Sequence, residues 1–281
     1  MTGLKDEDII DPDEARALIL NPVKPATERI RALAFLGIND AKTKEAIFQL
    51  VAEPPKPGPW HDQLLCLAGA VGWGDESRKA AIAAALFRGA DAILSDLRSD
   101  DPKRSYTLRA ILHRAVALLP QPLTGATINP LLPMLQSKHE DAPMGILSGL
   151  THASILVPAE TSAIDPAFHA ELARVANGLL EDSLPPEAFV FSLSAFLAAA
   201  LLDAPTIGHL TPERIGNARE LWLEQCSAGL NSILRHWIQS EVPESRRAKI
   251  AALAAAFEAA RPAFGIKPLR ESQSYFFGKL A

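Results

Sequence analysis

The chain has 281 residues, of which 48% are hydrophobic and 22% charged, a balance that supplies a core and argues against wholesale disorder. A formal net charge of -5 makes nucleic acid a poor partner, because its affinity for proteins comes largely from a basic face. The two cysteines, Cys66 and Cys226, form no CxxC or Cys/His ligand spacing, so they read as buried, reduced thiols and no structural zinc is expected.

Residues Met1 to Glu14 are acidic and lack an apolar run, so no signal peptide is expected and the reading is a cytoplasmic protein. Asp11-Pro12-Asp13-Glu14 then signals a helix start: an N-cap, a proline at the first helical position and acids in the first turn. From residue 26 to residue 89 the sequence matches itself under a shift of 35 positions. Ile30 falls on Leu65, Leu36 on Val71, Gly37 on Gly72 and Asp40 on Asp75; Lys44, Ala46, Ile47 and Val51 fall on Lys79, Ala81, Ile82 and Leu86. Each unit reads as a helix, a glycine that ends it, an aspartate cap and a second helix. The proline cluster from Glu53 to Pro59 breaks the chain between units.

The segment Gly74-Asp75-Glu76-Ser77-Arg78-Lys79-Ala80-Ala81-Ile82-Ala83-Ala84-Ala85-Leu86 resembles the capped, alanine-rich second helix of HEAT-like repeats. The resemblance covers residues 26–89 and implies a right-handed α-solenoid-like array that offers a concave surface to a partner. Trp60 and Trp73 bracket one helix, the first of the second repeat unit. Large aromatics favour binding hot spots, although tryptophans also close the ends of a helix-pair core.

Next in the chain, Leu108, Ile111, Leu112, Ala115, Val116 and Leu119 follow the spacing of one buried helical face between Lys103 and Leu119. Tyr106, Arg109 and His113 share a stripe opposite that face, with Arg104 and Arg114 near it, and arginine offers a planar fork of donors to an anion. The plain alternative is a solvated helix face. Asp96 and Asp100 lie four apart, as do Glu220 and Glu224, so each pair can share a helix face and hold a magnesium ion. The plain reading there is solvated acids.

After Pro120 the helical spacing becomes irregular. Pro120-Gln121-Pro122, Pro130 to Pro133 and Leu184-Pro185-Pro186 read as breaks, and His139-Glu140-Asp141 as a polar loop. Gly145-Ile146-Leu147-Ser148-Gly149 puts its serine one place too late for a nucleophile elbow and reads as a small-residue turn or a close helix contact. Asp165-Pro166 and Thr211-Pro212-Glu213 start further helices. The apolar run Ala188 to Leu202 is shorter than the ~20 residues of a membrane span and reads as a buried central helix. Trp222 and Trp237 read as core, and Glu244 to Arg261 as an alanine-rich helix with Ile250, Leu253 and Phe257 on one side. Near the end, Tyr275-Phe276-Phe277 reads as an aromatic anchor that docks on its own core or inserts into a second copy or a partner.

The expected fold is therefore all-α: helical repeats over 1–120, and an irregular helical body with an aromatic tail over 121–281, joined as one continuous domain. HExxH, Glu-x-x-His, a P-loop and GxGxxG are all missing from the sequence. The leading expectation is a non-enzymatic interaction protein that needs no cofactor or metal, binds another protein and forms a homodimer if the tail crosses to a second copy. Its candidate binding residues are Trp60, Trp73, Arg104, Tyr106, Arg109, His113, Tyr275, Phe276 and Phe277. The alternatives are an all-helical enzyme, either metal-assisted and prenyl-type or a HEAT-like repair enzyme with a basic groove, and a small-molecule binding module.

Overall fold

The computed structural model describes residues 11–21, 23–25, 28–29, 31–32, 36, 41–52, 58–96, 102–157, 159–178, 189–204 and 243–260. These are all-helical, with no strand among the described residues. The chain clusters into two compact units, residues 1–120 and 121–281.

The first unit contains α1 (Pro12–Leu20), α2 (Ala41–Ala52), α3 (Pro59–Ala70), α4 (Glu76–Asp96) and α5 (Pro102–Ala117). Asp11 caps α1 by accepting the Asp13 amide at 3.1 Å, with Pro12 in the first turn. Asp75 does the same for α4 by accepting the Arg78 amide at 2.8 Å. Each satisfies a backbone donor that the helix itself leaves open. Each helix then buries one face. In α5 that face is Leu108, Ile111, Leu112, Ala115 and Val116, all sealed from solvent, as the spacing predicts. In α4 it includes Ile82, Leu86 and Ile93. Gly89 lets α4 approach α3 closely: a Cβ there would sit 2.2 Å from a Leu65 methyl.

The main packing in this unit follows chain order. α1 lies on α2, α2 on α3 and α4, α3 on α4 and α5, and α4 on α5.

The second unit is organised differently. Its long helices among the described residues are α6 (Asp141–Leu156), α7 (Pro166–Gly178), α8 (Phe189–Leu201) and α9 (Glu244–Ala260). α8 is buried on every side from Ser194 onward, as expected of a central helix, and it packs against α6, α7 and α9. α6 is its equal. Residues 141–147 are all buried, as are Gly149, Leu150, Thr151, Ala153 and Ser154. Thr151 Oγ1 donates to the Ser194 carbonyl at 3.2 Å, a polar tie between two apolar helices.

Gly145 to Gly149 lies in the middle of α6, which rules out the turn and leaves the helix-contact reading of that stretch. Two sequence expectations fail here. Pro130 and Pro133 do not break the chain. Each sits in the first turn of a short helical segment, Asn129–Leu131 and Leu132–Leu135, where a missing amide proton costs nothing. Asp141 of the expected polar loop opens α6 and is buried.

The turn Gly125–Ile128 is held by a reciprocal Thr124–Thr127 capping box. It lies so close to the 161–163 turn that a Cβ on Gly125 would fall 1.8 Å from the Ala163 carbonyl oxygen. Asn129 clamps the same place: its Oδ1 accepts the Asp165 amide at 2.8 Å and its Nδ2 donates to Ala163 O at 3.3 Å. α8 ends with Asp203 in the left-handed region, φ 55°, while the Ala204 amide reaches back to Ala199 O at 2.9 Å. That is a Schellman stop with aspartate in the place glycine usually takes.

Candidate partner-binding face

The candidate residues of the first unit fall into four groups. Trp73 belongs to the core: it is 6% exposed, its indole N–H donates to Ala68 O at 2.9 Å in the last turn of α3, and its ring lies 5.9 Å from that of Phe48. It closes the C-terminal end of α3, and Lys44 Nζ reaches the Gly72 carbonyl nearby at 3.2 Å.

Trp60, in the first turn of α3, is half-buried beneath the guanidinium of Arg29, whose Cζ lies 4.0 Å from the ring centroid. Arg29 is itself buried and its Nε donates to Ile19 O at 2.8 Å. One arginine thus covers an aromatic face and caps the last turn of α1.

Arg104 is engaged within the fold. Its Nε binds Asp62 Oδ2 at 3.2 Å and its Nη1 binds Asp96 Oδ2 at 2.8 Å. The bond to Asp96 and the charge of Asp62 raise the Arg104 pKa against some desolvation. This bridge joins α5 to the first turn of α3 and the end of α4, and it commits Asp96 to a cation within the fold. Asp100, Glu220 and Glu224 lie outside the described residues, as do Cys226, Trp222 and Trp237. Among the described residues no three His, Cys, Asp or Glu side chains come together in a way that would hold a metal.

The outward stripe of α5 carries the remaining candidates of this unit. Tyr106 is 66% exposed, and the Arg109 Cζ stands 5.4 Å from its ring centroid. His113, half-buried, follows one turn on, and Arg114 is exposed at the edge. Phe, Tyr and Trp rings bury large areas at interfaces, and a flat ring steadied by a cation loses little freedom on binding. Tyr275, Phe276 and Phe277 lie outside the described residues.

Two further side chains are notable near the first turn of α3. Burial, with the Asp62 charge adding to it and Arg114 opposing it, pushes the Cys66 thiol up to about 11, so it is held protonated. His61 has a buried Nε2 with no hydrogen-bond partner. Sequence reasoning missed Arg29 and Asp62 altogether, since a lone arginine or aspartate on a helix reads as solvated.

The chain thus belongs to the all-α class, and among the described residues no helix is long and apolar enough to cross a membrane. No family model, no curated protein and no solved structure matches it.

Proposed function

We propose that this chain is a non-enzymatic interaction protein that presents stacked helices to another protein, with the Tyr106–Arg109–His113 stripe of α5 as the contact. The observation that carries this reading is an exposed tyrosine held under an arginine, on a helix whose opposite face is fully sealed.

The reading also takes the first unit as a right-handed α-solenoid-like array of HEAT-like repeats. In support, α2 and α4 start at Ala41 and Glu76, which the 35-residue shift superposes. Ile47 and Ile82 are both buried, as are Val51 and Leu86, and packing between near neighbours in the chain is the habit of such arrays. Ala46 is buried where its counterpart Ala81 is exposed, so the two copies differ in detail. A cytoplasmic location and a homodimer formed through Tyr275–Phe277 complete the proposal. The metal-assisted alternative loses ground because Asp96 is spent on Arg104.

The test is in-cell cross-linking of the tagged full chain, repeated with Tyr106→Ala and Arg109→Glu. The expected outcome is one recurrent protein partner whose capture falls about tenfold in either variant, as hot-spot residues produce, with an unchanged melting temperature for Tyr106→Ala. Equal capture by both variants overturns the site. Turnover of a small molecule by the purified chain, with no macromolecular partner recovered, overturns the reading as a whole.

A further inference from the structure

The packing of the first unit converges on three consecutive residues in the first turn of α3. Trp60 holds Arg29, and Arg29 holds the last turn of α1 through Ile19 O at 2.8 Å. Asp62, buried, holds Arg104 of α5 at 3.2 Å, and Arg104 holds Asp96 at the end of α4. His61 sits between these two clamps.

Its ring is half-buried, and Nε2 is sealed from solvent without a hydrogen-bond partner. A neutral imidazole tolerates this, because the proton can stay on Nδ1 and leave Nε2 as a bare acceptor. The protonated ring cannot, because it must carry an N–H and part of a positive charge at a buried atom that has no acceptor.

The charged groups around this turn do not remove the problem. Asp62, the next residue on the same helix, is engaged by Arg104. Among the described residues, the charges near the turn on other elements include Arg29 above Trp60, Arg104 on α5 with Asp96 on α4, and Arg114 of α5 farther along beside Cys66. Desolvation accordingly lowers the His61 pKa below its ordinary value, with Asp62 opposing more weakly.

We propose that His61 is a proton-operated latch: protonating it turns the ring out to water, shifts the first turn of α3 and releases the Trp60–Arg29–Ile19 clamp that holds α1. The sign follows from the lowered pKa. The clamp is at full strength above the unfolded-state histidine value of about 6.5 and weakens as pH falls below it. It levels off once the folded-state value has been passed. The released element is α1, the first described helix of the unit, which packs on α2.

Hydrogen exchange of the full chain tests this at about pH 7.5 and about pH 5.5, on either side of the ordinary histidine value, with intrinsic rates corrected for pH. The expected result is a severalfold loss of protection in residues 12–20 at the lower pH, while α4 and α5 keep theirs. His61→Gln should flatten that response, and His61→Phe provides a second apolar replacement should the amide fold poorly. His152→Gln, at an exposed histidine of the other unit, should leave the response intact. Equal loss in the wild type and both His61 variants overturns the latch, and so does unchanged protection of residues 12–20 in the wild type.

Discussion

The two units solve the same burial problem in opposite ways. In the first, each helix keeps one wet face and leans on its near neighbours in the chain. In the second, α6 and α8 are wrapped on nearly all sides, and α7 and α9 lie against α8. A stack spreads its stability along its length, so damage stays local. A hub concentrates stability, so damage at the centre reaches every helix around it.

The largest expected effect uses that contrast directly. Phe196 of α8 is fully buried, and Phe196→Ala should cost about 3–5 kcal/mol through lost transfer energy and a cavity. Hydrogen exchange should report the loss across α6, α7, α8 and α9 together. Leu108→Ala in α5 removes an equally buried side chain at about 2–5 kcal/mol. Its footprint should cover α3, α4 and α5 and spare α1. Equal spread in both variants would erase the distinction between stack and hub.

A smaller effect is expected at Arg246 of α9. This buried arginine donates from Nη1 to the carbonyls of Ser154 and, at 2.9 Å, Ile155, at the end of α6. Burial lowers its pKa, with Asp203 opposing. Asp203 is itself held by Lys249 and, at 3.3 Å, by Thr161. Arg246→Met keeps much of the volume but leaves the carbonyls unanswered, so urea denaturation should show a loss of about 1–3 kcal/mol. The smallest effect runs the other way. Ser154 Oγ is buried without a partner, and Ser154→Ala should raise stability by up to about 1 kcal/mol by removing a desolvated hydroxyl. A loss measured there would mean that the hydroxyl has a partner.

How legible each part was depended on whether its chemistry is local. The α5 and α9 helices, and the caps of three other helices, could be read because spacing and caps lie within a few residues of one another. Asp11, Asp75 and Asp165 all cap as their neighbours suggest. α6 was hidden by its glycines, serines and threonine, which mimic a turn although most of the helix is buried. The prolines at 130 and 133 were misread because position within a helical turn decides their effect, and sequence alone does not give that position. Of the site, the Tyr106–Arg109–His113 stripe was visible from spacing. The engagement of Arg104 with Asp62, 42 positions away, was not, and neither was the burial of Arg29. A charged residue reads as solvated until its distant partner is known.

The caps at helix C-termini have a consequence for how the chain emerges from the ribosome. Arg29 follows the α1 carbonyl it caps by only 10 residues, so that end is closed almost as soon as it is made. Arg246 follows the α6 carbonyl it caps by 92 residues. At a synthesis rate of roughly 5–20 residues per second, the last turn of α6 waits on the order of 5–20 s for the arginine that answers it. The two helix ends are therefore closed on different schedules, one locally and one only after nearly the whole second unit has been made.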